Sequence, residues 1–292
     1  MSRDLQLLGR AKRTHDGYLR EIRKLACHFN TPPDQLSEQQ VADYLLYLIN
    51  EKQFAPGSLK VTYSALKFFF RITCKRDWQV LKKIKVPKQK TLPTVLTIAE
   101  VHRLIAATDR HHNAALLWTL YSLALRLEEG LNLQIGDIDS ARMTVHIHRG
   151  KGAKDRLLPL PESTLQVLRN YWKQHRNAKL IFPANGRNRK QAAKSTTPIG
   201  PSSIQNCVKR AVKASSIGKP VSPHTLRHSM ATHLFEAKAS LGWIQKFLGH
   251  SNLQTTLMYL HLTDDASVDG RKQLGEVANN IACGKLFERF KD

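Results

Sequence analysis

Two stretches near the C-terminal end of this sequence hold residue types that act on phosphate esters. In SPHTLRHSMATHLF, His224 and Arg227 stand three residues apart, a spacing that puts both on one face of a helix. In IQKFLGHSNLQTTLMYLHL, His250 follows Gly249 at a helix–turn junction, and Tyr259 comes nine residues later. Upstream, Arg126 and Glu129 are again three apart in YSLALRLEEGLNLQIGDID, and Lys151 sits in the RGKGAKDR turn.

This set suits phosphoryl transfer. A transferring phosphodiester develops negative charge on its non-bridging oxygens, and preorganised Arg and His donors stabilise that charge more than the ground state. A tyrosine can act as nucleophile and carry a covalent intermediate. A lysine can protonate a departing alkoxide. A carboxylate beside an arginine can fix its orientation. Taken singly, each residue has a plainer reading that is preferred: Arg126–Glu129 as an ion pair on a helix surface, Tyr259 as a core aromatic. Metal and nucleotide readings are weaker. His224 and His228 are four apart, as for zinc on a helix face, but HTLRH lacks the Glu that follows the first His in zinc proteases, and Arg227 would oppose a cation. His111, His112, His146, His148 and His233 show no partner pattern and read as surface or core histidines. GRNRKQ lacks the closing GK[ST] of a phosphate loop.

The elements that must position these residues are mainly helices. Tyr18, Ile22, Leu25, Ala26 and Phe29 recur at helical steps over about 14–29. Ser37 and Glu38 open a second helix, and Pro56 opens a third that runs through LKVTYSALKFFFRITCK, with a short fourth around 78–84. VPKQKTLPTVLTIAE has no period, so residues 86–95 read as a linker between a helical domain, 1–85, and a second domain, 96–292. Thr97 and Glu100 have capping-box spacing. Helices are expected over 97–108, 111–135 and 161–175, with a β-hairpin or small sheet in MTVHIHRGKGAKDRLLPLP. Ser222 and Pro223 mark the start of the helix carrying His224. The expected fold is mainly α with one small sheet, a helical N-terminal domain joined to an α+β domain.

Composition points to the partner. The 292 residues carry 46 Lys+Arg against 23 Asp+Glu, a net charge of +23, and 41% are hydrophobic. That is enough apolar material for packed cores, so the charge belongs to a folded surface. Residues 1–90 carry a net +10 and the rest +13, which makes a polyanion the expected ligand. Residues 163–235 hold 13 Lys+Arg and no acid. Within them, residues 185–203 are polar and basic and read as a loop over the ligand, with Arg187, Arg189, Lys190 and Lys194 as its contacts. No apolar run is long enough for a transmembrane helix, and the charged start is unlike a signal peptide. The four cysteines have no paired spacing and read as reduced thiols of a cytoplasmic protein.

From its helical N-terminal part to about His261, the chain resembles the tyrosine recombinase (phage integrase) family. HTLRH followed by LGHSNLQTTLMYLH carries the likeness most specifically, with ALRLEEGLNL and GKGAKDRLLPL in the right order before it. The resemblance implies a site-specific recombinase that cleaves and rejoins duplex DNA. Tyr259 would attack the scissile phosphate and become a 3′-phosphotyrosine. Arg126 and Arg227 would clamp the phosphate, Lys151 would protonate the departing 5′ oxygen, His224 would assist proton transfer and His250 would hydrogen-bond the phosphate. Glu129 would support the site from behind. The family uses no metal or nucleotide and works as a homotetramer on two sites, its two domains clamping the DNA. The lengths favour an Xer-like or mobile-element recombinase. A catalytically silent DNA-binding protein and a topoisomerase-like relaxing enzyme stay open. The family usually has Gly at Ala124 and near Lys238, so these turns are expected to differ in shape. Leu286, Phe287 and Phe290 in the tail would dock on a neighbouring subunit or within the chain.

Overall fold

The protein is described here by a computed structural model covering residues 1–83, 93–148, 155–184, 189–250 and 275–277. The chain divides into two compact units, Met1–Thr91 and Leu92–Asp292.

The first unit is helical: α1 (Ser2–Leu7), α2 (Lys12–Phe29), α3 (Glu38–Asn50), α4 (Pro56–Phe68), a π-helical turn (Phe69–Thr73) and α5 (Val80–Lys83). Leu25, Val41, Leu45, Leu66 and Phe70 fill its core. Ser37 caps α3 through a reciprocal pair with Gln40, which satisfies two orphan N–H groups. The apolar period does not reveal α1, of which Leu5 alone is buried. The third predicted helix changes to π geometry at Phe69. The wider turn lets Phe68, Phe69 and Phe70, consecutive in sequence, all be buried.

The second unit contains α6 (Ile98–Ala106), α7 (His111–Ser122), α8 (Leu127–Leu131), a 3-10 turn (Ile135–Asp137), β1 (Ile138–Asp139), β2 (Thr144–Ile147), β3 (Arg156–Pro159), α9 (Glu162–His175), α10 (Arg189–Lys194), α11 (Pro201–Ala214), α12 (Pro223–Glu236) and α13 (Leu241–Leu248). The strands form one antiparallel sheet in the order β1-β2-β3, with Ile147 opposite Arg156. The fold is thus mainly α with a small sheet. α7 is buried on every side from Asn113 to Ser122, so it is the axle of this unit. α12 lies beside it, fixed by His233. That ring's Nε2 donates to the Leu96 carbonyl at 2.8 Å, so its Nδ1 accepts from the Tyr121 hydroxyl, also at 2.8 Å. Among the described residues no helix is long and apolar enough to cross a membrane.

Two expectations need correction. The single helix over 111–135 is two, because Ala124 takes a left-handed conformation (φ 46°) and ends α7. The run AALLWTLYSLALRL holds neither Gly nor Pro, so residue type does not mark the break. Residues 185–203 are not a loop throughout: α10 and the start of α11 lie within them. Asn177, 2% exposed, donates to the carbonyls of Ala192, Ala193 and Ser195 at 2.8, 3.1 and 2.9 Å, and so caps the end of α10.

The turns expected to differ keep the left-handed shape without glycine. After α7, Ala124 N donates to Tyr121 O and Leu125 N to Leu120 O; after α12, Lys238 N donates to Phe235 O and Ala239 N to Leu234 O. Both are the paired closing bonds that normally place Gly in the left-handed slot. Lys238 (φ 66°) is exposed, so no packing offsets its strain. Lys238→Gly should therefore stabilise. Relief of about 1–2 kcal/mol of left-handed strain, less about 0.4–1 kcal/mol of unfolded-chain entropy, leaves roughly 0.5–1 kcal/mol. Thermal unfolding would show it as a rise of a few degrees; an unchanged or lower midpoint would mean that the turn is not strained.

Candidate active site

Four stretches of the second unit converge at its candidate site. Arg126 is the N-cap residue of α8 and Glu129 the third residue inside that helix. The Glu129 carboxylate accepts from the Arg126 backbone N–H at 2.9 Å and from Arg126 Nη1 at 2.7 Å. Their three-residue spacing is therefore a cap, and the pair is not two neighbours on a helix surface. Arg227, 3% exposed, enters from α12; its Nη1 lies 3.8 Å from Glu129 Oε2 and donates to the Ala124 carbonyl at 2.8 Å. His250 follows α13, turned into place by Gly249 in the left-handed conformation (φ 62°).

Sequence reasoning missed a third arginine. Arg156, at the start of β3, forks onto both Glu129 oxygens at 2.9 and 2.8 Å. Leu157 is 69% exposed and Leu158 is 1% exposed, so strand alternation turns Arg156 to the same inward side as Leu158. DRLLPL carries leucine at both 157 and 158, so the sequence itself does not show which face turns inward.

The end of α13 completes the frame. Three successive carbonyls, Phe247, Leu248 and Gly249, accept from Arg156 Nε (3.3 Å), Arg227 Nη2 (2.5 Å) and Arg126 Nη2 (3.3 Å). The last carbonyls of a helix have no partner within it and sit at the negative end of its dipole. Here each holds one guanidinium. Among the described residues the site thus gathers three guanidiniums around one carboxylate. Two positive charges are left over, in a fixed array that an anion with several oxygens would match.

The electrostatics follow. Burial alone would raise the Glu129 carboxyl, but the bonds and charge of Arg156, then those of Arg126, outweigh it and bring the pKa down to about 2. His250 is pushed down to about 4, first by burial and then by the positive charges of Arg227 and Arg126. His228, one turn beyond His224 on α12, is also pushed down to about 4, by burial and by Arg227. At pH 7 both rings are neutral, able to donate from one nitrogen and accept at the other. His224 is itself exposed, in a first turn of α12 whose other residues are buried. The structure thus brings Arg126, Glu129, Arg227 and His250 together and sets His224 one helical turn before His228. Lys151, Tyr259, Arg187, the side chain of Arg189 and the tail residues Leu286, Phe287 and Phe290 lie outside the described residues. Lys190 and Lys194 are exposed on α10. Part of the acid-free stretch is neutralised from outside it: Lys219 pairs with Glu100 at 2.6 Å and Arg210 with Asp109 at 3.5 Å.

Gly249 is the tightest joint in this frame. A Cβ there would meet Arg156 Cδ at 3.1 Å and its Nε and Nη1 at 3.2 Å, in a side chain whose guanidinium is held by Glu129 and the Phe247 carbonyl. Gly249→Ala should cost about 1–2 kcal/mol in left-handed strain alone, and it should displace the Arg156 fork as well. A thermal midpoint equal to that of the unaltered protein would show that neither constraint acts.

Comparison with known proteins gives the family. The model of the phage integrase family matches residues 94–266, and that of the phage integrase N-terminal SAM-like domain matches residues 1–80. The chain is 38% identical over 264 residues to y4qK of Sinorhizobium fredii, an integrase/recombinase by name, covering 90% of this chain and 83% of that one. It is 33% identical over 217 residues to the tyrosine recombinase XerA of Pyrococcus horikoshii, covering 74% and 73%. Its fold is that of a lambda integrase solved as a dimer bound to a COC′ core site, with a TM-score of 0.70, 18% identity and coverage of 92% and 96%. With a family model spanning more than half of its length and relatives matched along most of theirs, the chain belongs to the phage integrase, or tyrosine recombinase, family.

Proposed function

We propose that this protein is a site-specific DNA recombinase that cuts and rejoins duplex DNA through a 3′-phosphotyrosine intermediate. The observation that carries the reading is the cluster of Arg126, Arg156 and Arg227 on one carboxylate beside a neutral His250. Its surplus positive charge is shaped for one phosphodiester.

In this reading the Tyr259 oxygen attacks phosphorus, forming a P–O bond to tyrosine and breaking the bond to the 5′ oxygen. Lys151 gives the departing oxygen its proton, and His224 assists removal of the tyrosine proton. Arg126 and Arg227 bind the non-bridging oxygens, where charge grows in the transition state. His250 donates a hydrogen bond to the same phosphate, and Arg156 and Glu129 hold the array rigid. Attack by a 5′ hydroxyl of another strand reverses the step, so the bond energy is kept. No cofactor is required by this chemistry. The unit at 1–91 acts as a core-binding domain and the unit at 92–292 as the catalytic domain, with Arg187, Arg189, Lys190 and Lys194 among its DNA contacts. Four copies on two sites, in the cytoplasm, complete the proposal.

The test is covalent trapping. Nicked fragments from a genomic library lose a short strand after cleavage, which prevents religation. The reading expects a protein–DNA adduct, with mass spectrometry placing the nucleotide on Tyr259. Binding without any adduct would leave a silent DNA-binding protein. Relaxation of supercoiled plasmids of arbitrary sequence would favour a topoisomerase-like enzyme.

A further inference from the structure

Across the sheet from Arg156 lies a cluster that the strand-transfer reading does not use. His146 and His148, two residues apart, project from the same face of the β2 strand line, with ring centroids 4.0 Å apart. Asp155, immediately before β3, faces both: its Oδ2 is 3.3 Å from His146 Nε2 and 3.5 Å from His148 Nδ1. Behind His148 stands Asp137, 8% exposed, whose Oδ1 is 2.7 Å from His148 Nε2. The other Asp137 oxygen accepts from the Gln134 backbone N–H at 2.8 Å, so this carboxylate is fixed. Neither histidine showed a partner in sequence, because Asp137 and Asp155 reach them only through the fold.

We propose that His146, His148 and Asp155 bind one divalent metal ion of the zinc class at the base of the β2–β3 hairpin. The three ligand atoms lie within 4.8 Å of one another. Bonds of about 2.0–2.1 Å in tetrahedral array put neighbouring ligand atoms about 3.3 Å apart, which the two contacts to Asp155 match. Asp137 supplies what a histidine ligand needs from behind. By accepting the Nε2 proton it fixes the tautomer, so the Nδ1 lone pair faces the site. The two carboxylates offset the charge of a dication, two imidazoles and one carboxylate suit a borderline ion, and the fourth position opens to solvent. The adjoining cleft, about 610 Å³ and lined by Asn132, Asp137, His146 and His148, gives the ion a way in. A bound ion ties β2 to β3 on either side of residues 149–154, the segment that carries Lys151. It takes no part in the proposed chemistry at phosphorus.

The experiment uses the full chain, stripped of metal and titrated with Co²⁺ while its visible absorption is followed, then with Zn²⁺ in competition. One equivalent should bind with a tetrahedral Co²⁺ spectrum. His146→Gln and His148→Gln should each weaken binding at least tenfold, and Asp137→Asn by about 10–100-fold through loss of tautomer control. His224→Ala should leave it unchanged, which separates this site from the histidines near Arg227. Both glutamine variants replace half-exposed side chains, and their circular dichroism without metal must match that of the unaltered protein. The proposal is overturned if no saturable binding appears below about 100 μM, where affinity is no more than about 5–6 kcal/mol. It is equally overturned if the glutamine variants bind as tightly as the unaltered protein, or if His224→Ala alone abolishes binding.

Discussion

A Tyr259→Phe protein should bind its DNA with nearly unchanged affinity and form no covalent adduct. The substitution removes one phenol oxygen, the atom proposed to make the new bond to phosphorus. Affinity is set elsewhere. Phosphate contacts dominate binding, and the net charge of +23 is spread through the sequence. Gel-shift titration should therefore give similar dissociation constants for the two proteins, while trapping with nicked DNA gives an adduct for one and none for the other. An adduct from the phenylalanine protein would remove Tyr259 from the mechanism. A large loss of affinity would mean that the hydroxyl serves binding.

The second large effect concerns Glu129. Its side chain is 6% exposed, and it stands between Arg126, Arg156 and the equally buried Arg227. Removing one partner of a buried pair leaves uncompensated charge, at a cost of about 3–5 kcal/mol. Glu129→Ala should lose about that much in urea unfolding, and Glu129→Gln less, since its amide oxygen still accepts from one guanidinium. Acid should reproduce the effect in the unaltered protein. The Glu129 pKa falls from the ordinary 4.5 to about 2, so its stabilisation is fully present above 4.5 and is lost as pH drops toward 2. His228 and His250, held near 4 against an ordinary 6.5, act in the same direction. Unfolding frees them to take up protons, so their contribution fades as pH falls from 6.5 to 4. Stability should therefore decline in two stages below neutrality. In Glu129→Gln the lower stage should be reduced and the upper one retained. A loss under about 1 kcal/mol on Glu129→Ala would reduce the cluster to an ordinary surface pair.

Much of this was legible before any coordinates. The Thr97/Glu100 box, the Ser222–Pro223 start and Gly249 before His250 are local signals, and local backbone chemistry alone decides them. The Arg126–Glu129 spacing revealed a pair but not its geometry, because a cap and a helix-surface pair share one spacing. Arg156 lay hidden for another reason. Its role depends on which face of β3 turns inward, and Asp155, just before it, drew no notice without Asp137 and the histidines beside it. Ala124 and Lys238 show the reverse case. Residue type argued against a left-handed turn, and the paired closing bonds of each helix end outweighed that local cost.

The end of α13 also says when the site can exist during folding. Its carbonyls at 247–249 hold guanidiniums from 126, 156 and 227, residues far apart along the chain. Segments of 21, 91 and 123 residues must close before these bonds form, and their closure entropy is spent before the contacts repay it. Arg126 has Glu129 beside it from the start, but the three guanidiniums together still repel one another until the helix end arrives. The arginine cluster is therefore a late product of folding. A nascent chain released before residue 241 would carry the arginines but not the array, and would be unable to grip a phosphate in the manner of the finished protein.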